Sequence, residues 1–294
     1  SSISYEAKKR GFQVVCNDRL HINYLISTAL IENNKHTLND EEISNIFKGK
    51  SNKGFMTMNF KNKFFFENEC KDLDLYRSNI LKLKNKFKRA LAFSILRRSM
   101  IRKMPYSRFN IKWDKIVQLR DEEYSYKHYK RKRAYHNLSL KEHFIDNVDA
   151  YNSAVFDNGK ENRAMNSDAL NVASKSKCDI VYCDPPYSGT MNNYASFYGL
   201  LDMYVKNKKN ISYKDLFRKE MIEKTFDKLF SSIKNSHYLI LSYNNNAYPK
   251  KDVIISLLEK YSKNIKVYKK KHSYKITGKE KKDTNTETLF IAEL

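Results

Sequence analysis

The stretch Cys178-Asp179-Ile180-Val181-Tyr182-Cys183-Asp184-Pro185-Pro186-Tyr187 holds the densest chemistry in this 294-residue chain. A short apolar run of buried-strand character delivers a carboxylate, two prolines and an aromatic ring at its end, which is where open α/β sheets bind ligands. Adjacent prolines fix φ at about −65° and remove two backbone donors, so Asp184-Pro185-Pro186-Tyr187 is a stiff turn whose carbonyls remain acceptors. The Asp184 carboxylate and the Pro185 carbonyl can each accept one N–H of a planar exocyclic amine, drawing its lone pair out of conjugation, while the Tyr187 ring offers a stacking face. A strand running into a proline-rich loop would share the pattern without the chemistry. The chain has four prolines, however, and two of them stand here, which favours the chemical reading.

An α/β pattern surrounds this turn. Residues 2–10 read as a helix with Ile3 and Ala7 on one side and Gly11 as its C-terminal cap, followed by a buried strand, Phe12 to Cys16, ending in Asn17-Asp18. Helical pattern resumes from Asn23 to about Leu30. Leu73, Tyr76, Ile80, Leu83, Phe87, Leu91 and Ile95 then form an apolar stripe in the longest helical signal, residues 72–103, which Pro105 ends. Residues 106–138 interleave Tyr and His with basic side chains and have no clean period. Ser139-Leu140-Lys141-Glu142 is a capping box opening another helix. Further on, helices are expected at 213–234 and 252–261, and strands at 238–243, 265–274 and 287–293, with a polar loop from Lys275 to Thr286.

Composition narrows the classes. With 41% hydrophobic and 30% charged residues the chain is globular rather than disordered, and it has no apolar run long enough to span a membrane. Cys16, Cys70, Cys178 and Cys183 lack C-x-x-C spacing and read as reduced thiols of a cytoplasmic protein, with no metal site. Net charge is +23, and residues 48–136 hold 25 Lys+Arg against 8 Asp+Glu, so that segment carries most of the excess. A polyanion partner follows. The candidate phosphate-binding cations are Arg97, Arg98, Arg102, Lys103 and Arg108 at the end of the long helix, and Lys130, Arg131 and Arg133 in the aperiodic segment. A solvated basic surface is the plainer account of the same residues.

The Asp-Pro-Pro-Tyr turn resembles that of the amino-group DNA methyltransferases that use S-adenosylmethionine, in particular the adenine-specific Dam-like or D12 class. Ser2-Ile3-Ser4-Tyr5-Glu6-Ala7-Lys8-Lys9-Arg10-Gly11 through Asn17-Asp18, Val155-Phe156-Asp157-Asn158-Gly159-Lys160-Glu161-Asn162, and Asn166-Ser167-Asp168-Ala169 are similar as well. The likeness runs over nearly the whole chain and is thinnest between about residues 105 and 138. It implies an α/β fold: a Rossmann-like class I methyltransferase sheet, mostly parallel with a C-terminal antiparallel hairpin. Residues 1–35 and 139–294 would form a discontinuous catalytic domain, and 36–138 an inserted, mainly helical basic target-recognition domain.

In the family, a strand and a FxGxG-type cofactor motif precede the first helix. Ser1 and Ser2 would stand at or just beyond the last position of that motif, so the natural protein is expected to extend upstream, and a sheet without its central strand would be split. The resemblance implies that Asp18 holds the cofactor ribose, although spacing alone slightly favours an ordinary turn aspartate. Asp168 would contact the cofactor adenine, with Ser167 where Gly is common. Asp184 would orient the amine beside the cofactor, Pro185 accept from it, Pro186 stiffen the turn, Tyr187 stack on the base, and Tyr194 line its pocket. Double-stranded DNA with a flipped adenine is the implied substrate, in a restriction-modification system with a cognate endonuclease or as a solitary methylase. The alternatives are an RNA or protein-glutamine methyltransferase, which more often carries Asn at position 184, a cytosine-N4 enzyme, usually with Ser there, or an inactive DNA-binding homologue.

Overall fold

The computed structural model describes residues 2–51, 53–130, 133, 138–188, 194–211, 213, 216–271 and 286–294, the side chains of 194–197 excepted. They form two compact units, residues 1–166 with 195–211, and residues 167–194 with 212–294.

In the first unit, α1 (Ser2–Lys9) stops where Gly11 takes φ +84°, a left-handed conformation that glycine adopts without a Cβ clash. Its buried face differs from the expected one. Ile3 is exposed, and Lys8 is buried instead, its Nζ donating to the carbonyls of Asn33 at 2.8 Å and Leu30 at 3.3 Å beneath the Phe156 ring. Burial lowers the Lys8 pKa to about 8, with Asp157 opposing. A lysine satisfied by carbonyls leaves no mark in hydrophobic periodicity, which is why the sequence pointed to Ile3.

Strand β1 (Val15–Asn17) is shorter than the expected Phe12–Cys16, and Phe12 and Val15 are exposed whereas Val14 and Cys16 are buried. It pairs in parallel with β2 (Arg163–Met165), Cys16 opposite Ala164. Between them lie α2 (His21–Ser27), extended by a π-helical turn at Thr28–Glu32, then α3 (Asp40–Phe47), α4 (Phe55–Phe60), α5 (Glu67–Lys82), α6 (Lys86–Arg102), α7 (Trp113–Arg120), α8 (Glu122–Tyr129) and α9 (Leu140–Ser153). The capping box of α9 forms as expected: Ser139 Oγ accepts from Glu142 N at 3.1 Å, and Glu142 Oε2 accepts from Ser139 N at 2.7 Å.

The single long helix expected over 72–103 is two helices. Leu83 is extended, and Asn85 caps α6 by accepting from Phe87 N at 2.8 Å and Lys88 N at 3.3 Å. Leu73, Tyr76 and Ile80 on α5 and Leu91 and Ile95 on α6 are all buried, so the stripe stays in phase across the break and hides it. Asn85→Ala should cost about 1 kcal/mol in chemical denaturation, the usual value of an N-cap. An unchanged midpoint would show that packing alone holds the break. The aperiodic segment also contains order: Asp121 Oδ1 accepts from Tyr124 N at 2.6 Å and starts α8 directly after α7. Helix α6 packs along α2 and α9, so the basic segment and the helices flanking it in sequence share one core.

The second unit contains α10 (Ala169–Ala173) and β3 (Ile180–Cys183). Helix α11 (Tyr194–Lys206) then crosses into the first unit, and α12 (Ile222–Ser232), β4 (Tyr238–Asn244), α13 (Lys251–Leu258), β5 (Asn264–Lys271) and β6 (Thr286–Glu293) follow in the second. The sheet order is β3-β4-β6-β5, with β3 parallel to β4 and β6 antiparallel to both its neighbours. The expected C-terminal antiparallel hairpin is therefore present, and its polar connection at 275–285 lies outside the described residues. Among the described strands, β1-β2 and β3-β4 are parallel, and the antiparallel pairs are those made by β6. The described strands form two separate sheets, β1-β2 and the four-stranded one. Phe226, Phe230, Leu239, Leu241, Ile254 and Phe290 are the core of the second unit, which α12 and α13 build against one sheet face. On the opposite face Ile180, Tyr182, Tyr238 and Tyr268 are exposed, so β3 is half-buried rather than fully buried.

Candidate active site

Strand directions bring three chain segments to one end of the four-stranded sheet. β3 and β4 run parallel and finish there, and β6, antiparallel to β4, begins there, with Asn244 opposite Glu287. Asp184 leaves the end of β3, Pro185 is buried, and Tyr187 packs against the core with its ring edge-on to Tyr243 at 5.5 Å. The Tyr187 hydroxyl lies 3.3 Å from Asp184 Oδ1 and 3.3 Å from Glu287 Oε2, and Asn244 Nδ2 donates to Glu287 Oε1 at 3.1 Å. The turn is further tied down where Tyr248 N donates to Ser188 O at 3.0 Å and the Tyr243 hydroxyl donates to the Tyr248 carbonyl.

Burial and neighbouring groups set the electrostatics at this end. Partial burial raises the Asp184 pKa above the ordinary carboxylate range; the Tyr187 hydroxyl opposes the shift and the Glu287 charge adds to it. Burial also pushes the Cys183 thiol up to about 12, Asp184 contributing, so this cysteine is a neutral packing group near neutral pH and not a nucleophile. The sequence reading named Asp184, Pro185, Pro186 and Tyr187 and did not name Glu287 and Asn244, which the strands bring beside them. The available signal was topological: a final antiparallel strand must start at the end where its parallel neighbours finish.

Asp18 closes β1 in the first unit. Its Oδ1 accepts from Leu20 N at 2.8 Å and its Oδ2 from Asn23 Nδ2 at 3.0 Å, while Asn166 Nδ2 donates to the Asp18 and Arg19 carbonyls, each at 2.9 Å. Burial raises its pKa, against these hydrogen bonds and with the nearby Asp202 adding to the shift. Asp202, fully buried on α11, accepts from His21 N at 2.9 Å and Ile22 N at 2.7 Å, capping α2 where Leu20 has no side chain able to do so. A carboxylate offers about four acceptor sites, so the anchored Asp18 retains capacity for a diol. Asp168, in the second unit, caps α10 through Leu170 N at 2.9 Å. Ser2 is exposed at the start of α1; Ser1 lies outside the described residues, as does the side chain of Tyr194.

The basic residues divide. Arg98 is exposed on α6, Arg97 and Arg98 both act on Tyr151 of α9, and Arg102 Nε donates to His143 Nδ1 at 3.3 Å. Arg108 is half-buried and Lys130 exposed at the end of α8, and the Arg133 guanidinium lies over the Tyr129 ring at 4.7 Å. Arg131 lies outside the described residues. Lys103 corrects an expectation: it is buried, donates to Leu138 O at 2.8 Å and pairs with Glu69 at 3.5 Å, beside the double hydrogen bond from Arg120 to Glu69. Burial depresses the Lys103 pKa, Arg120 adding to the shift and Glu69 opposing it. Glu69 of α5 holds both this ammonium, just past α6, and Arg120 of α7, so the Lys103 charge is withdrawn from any phosphate. In sequence it was indistinguishable from Arg102, its neighbour. On α8, Tyr124 and His128 stack at 3.9 Å, and Tyr126, Lys127 and His128 are exposed.

Among the described residues no cluster of potential metal ligands forms, and no helix is long and apolar enough to cross a membrane. The family model for D12 class N6 adenine-specific DNA methyltransferase matches residues 1–276. The chain is 48% identical over 293 residues to the Type II methyltransferase M2.HphI of Haemophilus parahaemolyticus, covering 99% of this chain and 87% of that protein. It is 26% identical to the modification methylase StsI of Streptococcus sanguinis, over 86% of this chain and 40% of that one. To the Type II methyltransferase M.FokI of Planomicrobium okeanokoites it is 24% identical, over 97% of this chain and 46% of that one, so it spans under half the length of these two relatives. No solved structure matches.

Proposed function

This chain belongs to the D12 class of N6 adenine-specific DNA methyltransferases, and from that membership we propose how its residues divide the work. The enzyme transfers a methyl group from S-adenosylmethionine to the N6 amine of adenine in DNA. Asp184 accepts one N–H of that amine and the Pro185 carbonyl the other, Pro186 keeps the turn rigid, and the Tyr187 ring stacks on the extruded base, with Tyr194 lining the pocket. The single observation that carries this reading is the Asp184-Tyr187 turn at the end of β3, held by β4 and β6. Asp184 stabilises the positive charge that develops on nitrogen, and a strong base is not required, because the amine becomes acidic only as the new N–C bond forms.

The donor set suits the cofactor. Asp18 is an anchored carboxylate with acceptor capacity for two ribose hydroxyls, Asp168 is an acceptor for an adenine amine, and Ser2 supplies a small polar group at the start of α1. When bound, S-adenosylmethionine supplies the electrophilic methyl carbon. Asp18→Ala should weaken its binding by roughly 1 to 3 kcal/mol, the worth of hydrogen bonds to a charged acceptor. Calorimetry giving parental affinity would assign Asp18 to the turn alone.

The catalytic domain, in this reading, is a Rossmann-like class I methyltransferase domain of residues 1–35 and 139–294, and 36–138 serve target recognition. Arg97, Arg98, Arg102, Arg108, Lys130, Arg131 and Arg133 contact phosphates of double-stranded DNA, and α8 reads bases. The names of the relatives, Type II methyltransferases and a modification methylase, support a place in a restriction-modification system, and a cognate endonuclease and a cytoplasmic setting belong to the same proposal. Labelled-methyl transfer tests the substrate class: DNA duplex should accept label and an RNA duplex of the same sequence should not. Equal labelling of both would overturn the assignment to DNA.

A further inference from the structure

Glu287 enters no motif, yet it stands at the catalytic turn. It opens β6 directly opposite Asn244 on β4 and Lys270 on β5. One carboxylate oxygen accepts from Asn244 Nδ2 at 3.1 Å, and the other lies 3.3 Å from the Tyr187 hydroxyl, which lies equally far from Asp184 Oδ1. A tyrosine hydroxyl has one proton, so at any moment it donates to one of these two carboxylates. Asn244 is itself buried, and its Oδ1 accepts from Asn246 N at 2.9 Å, which fixes the amide that presents Nδ2 to Glu287.

We propose that Glu287 is a positioning residue for methyl transfer: held by Asn244, it fixes the Tyr187 ring on which the target base stacks, and its negative charge bears on Asp184 through the shared hydroxyl. The proposal rests on the reading of Asp184 and Tyr187 given above. A ring set edge-on against Tyr243, with its hydroxyl between two carboxylates of which it donates to one at a time, has little rotational freedom, and base stacking depends on where its face points. The second carboxylate also makes ionisation of Asp184 harder, in the same direction as the burial of Asp184.

Among the described residues the titratable and charged neighbours include Tyr182 on β3, Tyr187 in the turn, Tyr243 on β4, Tyr248 beyond it with Glu223 and Lys219 against it, and Lys270 on β5. Burial raises the hydroxyl pKa of Tyr182 and Tyr243, and the hydrogen bond to Glu223 raises that of Tyr248, so these tyrosines are neutral through the working range. The sign follows. Asp184 acts as a carboxylate, so activity falls as pH drops through its pKa; removing the Glu287 charge lowers that pKa and moves the acid limb to lower pH.

Single-turnover methylation of adenine in duplex DNA, measured for the full chain from about pH 5 to about pH 8, tests this. Glu287→Ala should slow the step roughly tenfold to a hundredfold with unchanged affinity for S-adenosylmethionine, as misplacement of a reacting group does. Glu287→Gln keeps the hydrogen-bonding shape and should recover most of the neutral-pH rate while shifting the acid limb to lower pH. Glu287→Gln keeps the test decisive if the alanine variant folds poorly. Parental rates in both variants, or an acid limb that does not move in Glu287→Gln, would overturn the proposal. A parent enzyme that transfers no methyl group to adenine would remove the reading beneath it, and the proposal with it.

Discussion

Asp184→Ala lowers the rate of methyl transfer by several orders of magnitude and leaves DNA binding largely intact. The substitution removes a hydrogen-bond acceptor and a negative charge from the place where positive charge develops on the target nitrogen, effects worth about 10² to 10³ and 10² to 10⁴ in other enzymes. The two overlap in one group and do not multiply in full, so a loss of about 10³ to 10⁵ is expected. The loss appears in the chemical step because Asp184 is partly exposed at the end of β3 and is not a core packing residue. Single-turnover rates report the step, and a mobility shift reports binding. Methylation within about tenfold of the parent would reject Asp184 as the orienting group. Tyr187 should behave in a graded way: alanine removes the stacking ring and costs more than phenylalanine, which keeps the ring and loses only the hydroxyl bridge to Asp184 and Glu287.

The second large effect is electrostatic. Residues 48–136 carry 25 Lys+Arg against 8 Asp+Glu, and if about six of their cations neutralise phosphates, the log–log slope of affinity against salt is near −5. Affinity then falls by about 10³ between roughly 50 and 200 mM salt. Neutralising Arg97, Arg98 and Arg102 together should flatten the slope and weaken binding to all sequences alike, whereas substitutions at Tyr126 or His128 on the exposed side of α8 should change which sequence is methylated. Lys103 should not contribute to the slope, since its ammonium is committed to Glu69 and the Leu138 carbonyl. A slope unaltered by the triple substitution would place the phosphate contacts elsewhere.

Much of this was legible in the residues, for identifiable reasons. Local chemistry announces itself: Gly11, the Ser139-Glu142 box and the proline pair each impose a backbone geometry that few other residues give, and each stands where the sequence put it. Hydrophobic period located the helices but not their ends, because α5 and α6 keep the stripe in phase across the Asn85 cap. Charge was the least legible property. Lys103 read as a phosphate-binding cation and nothing singled out Lys8, yet both are buried, Lys8 on backbone carbonyls and Lys103 in an ion network, and neither kind of partner is local in sequence. Glu287 was hidden in the same way, since its relation to Asp184 is made by strand order and exists only once β6 lies beside β4. A motif names the part of a site that is contiguous; the sheet assembles the rest.

On the proposed reading, the Asp184-Tyr187 turn presents the exocyclic amine of adenine for methylation. Duplex DNA incubated with S-adenosylmethionine labelled in its methyl group, digested to nucleosides and resolved by mass, tests it most directly. Label is expected in N6-methyladenine for the parent chain and should be lost for Asp184→Ala at equal DNA occupancy; label in N4-methylcytosine, or equal N6-methyladenine from both proteins, would overturn the assignment.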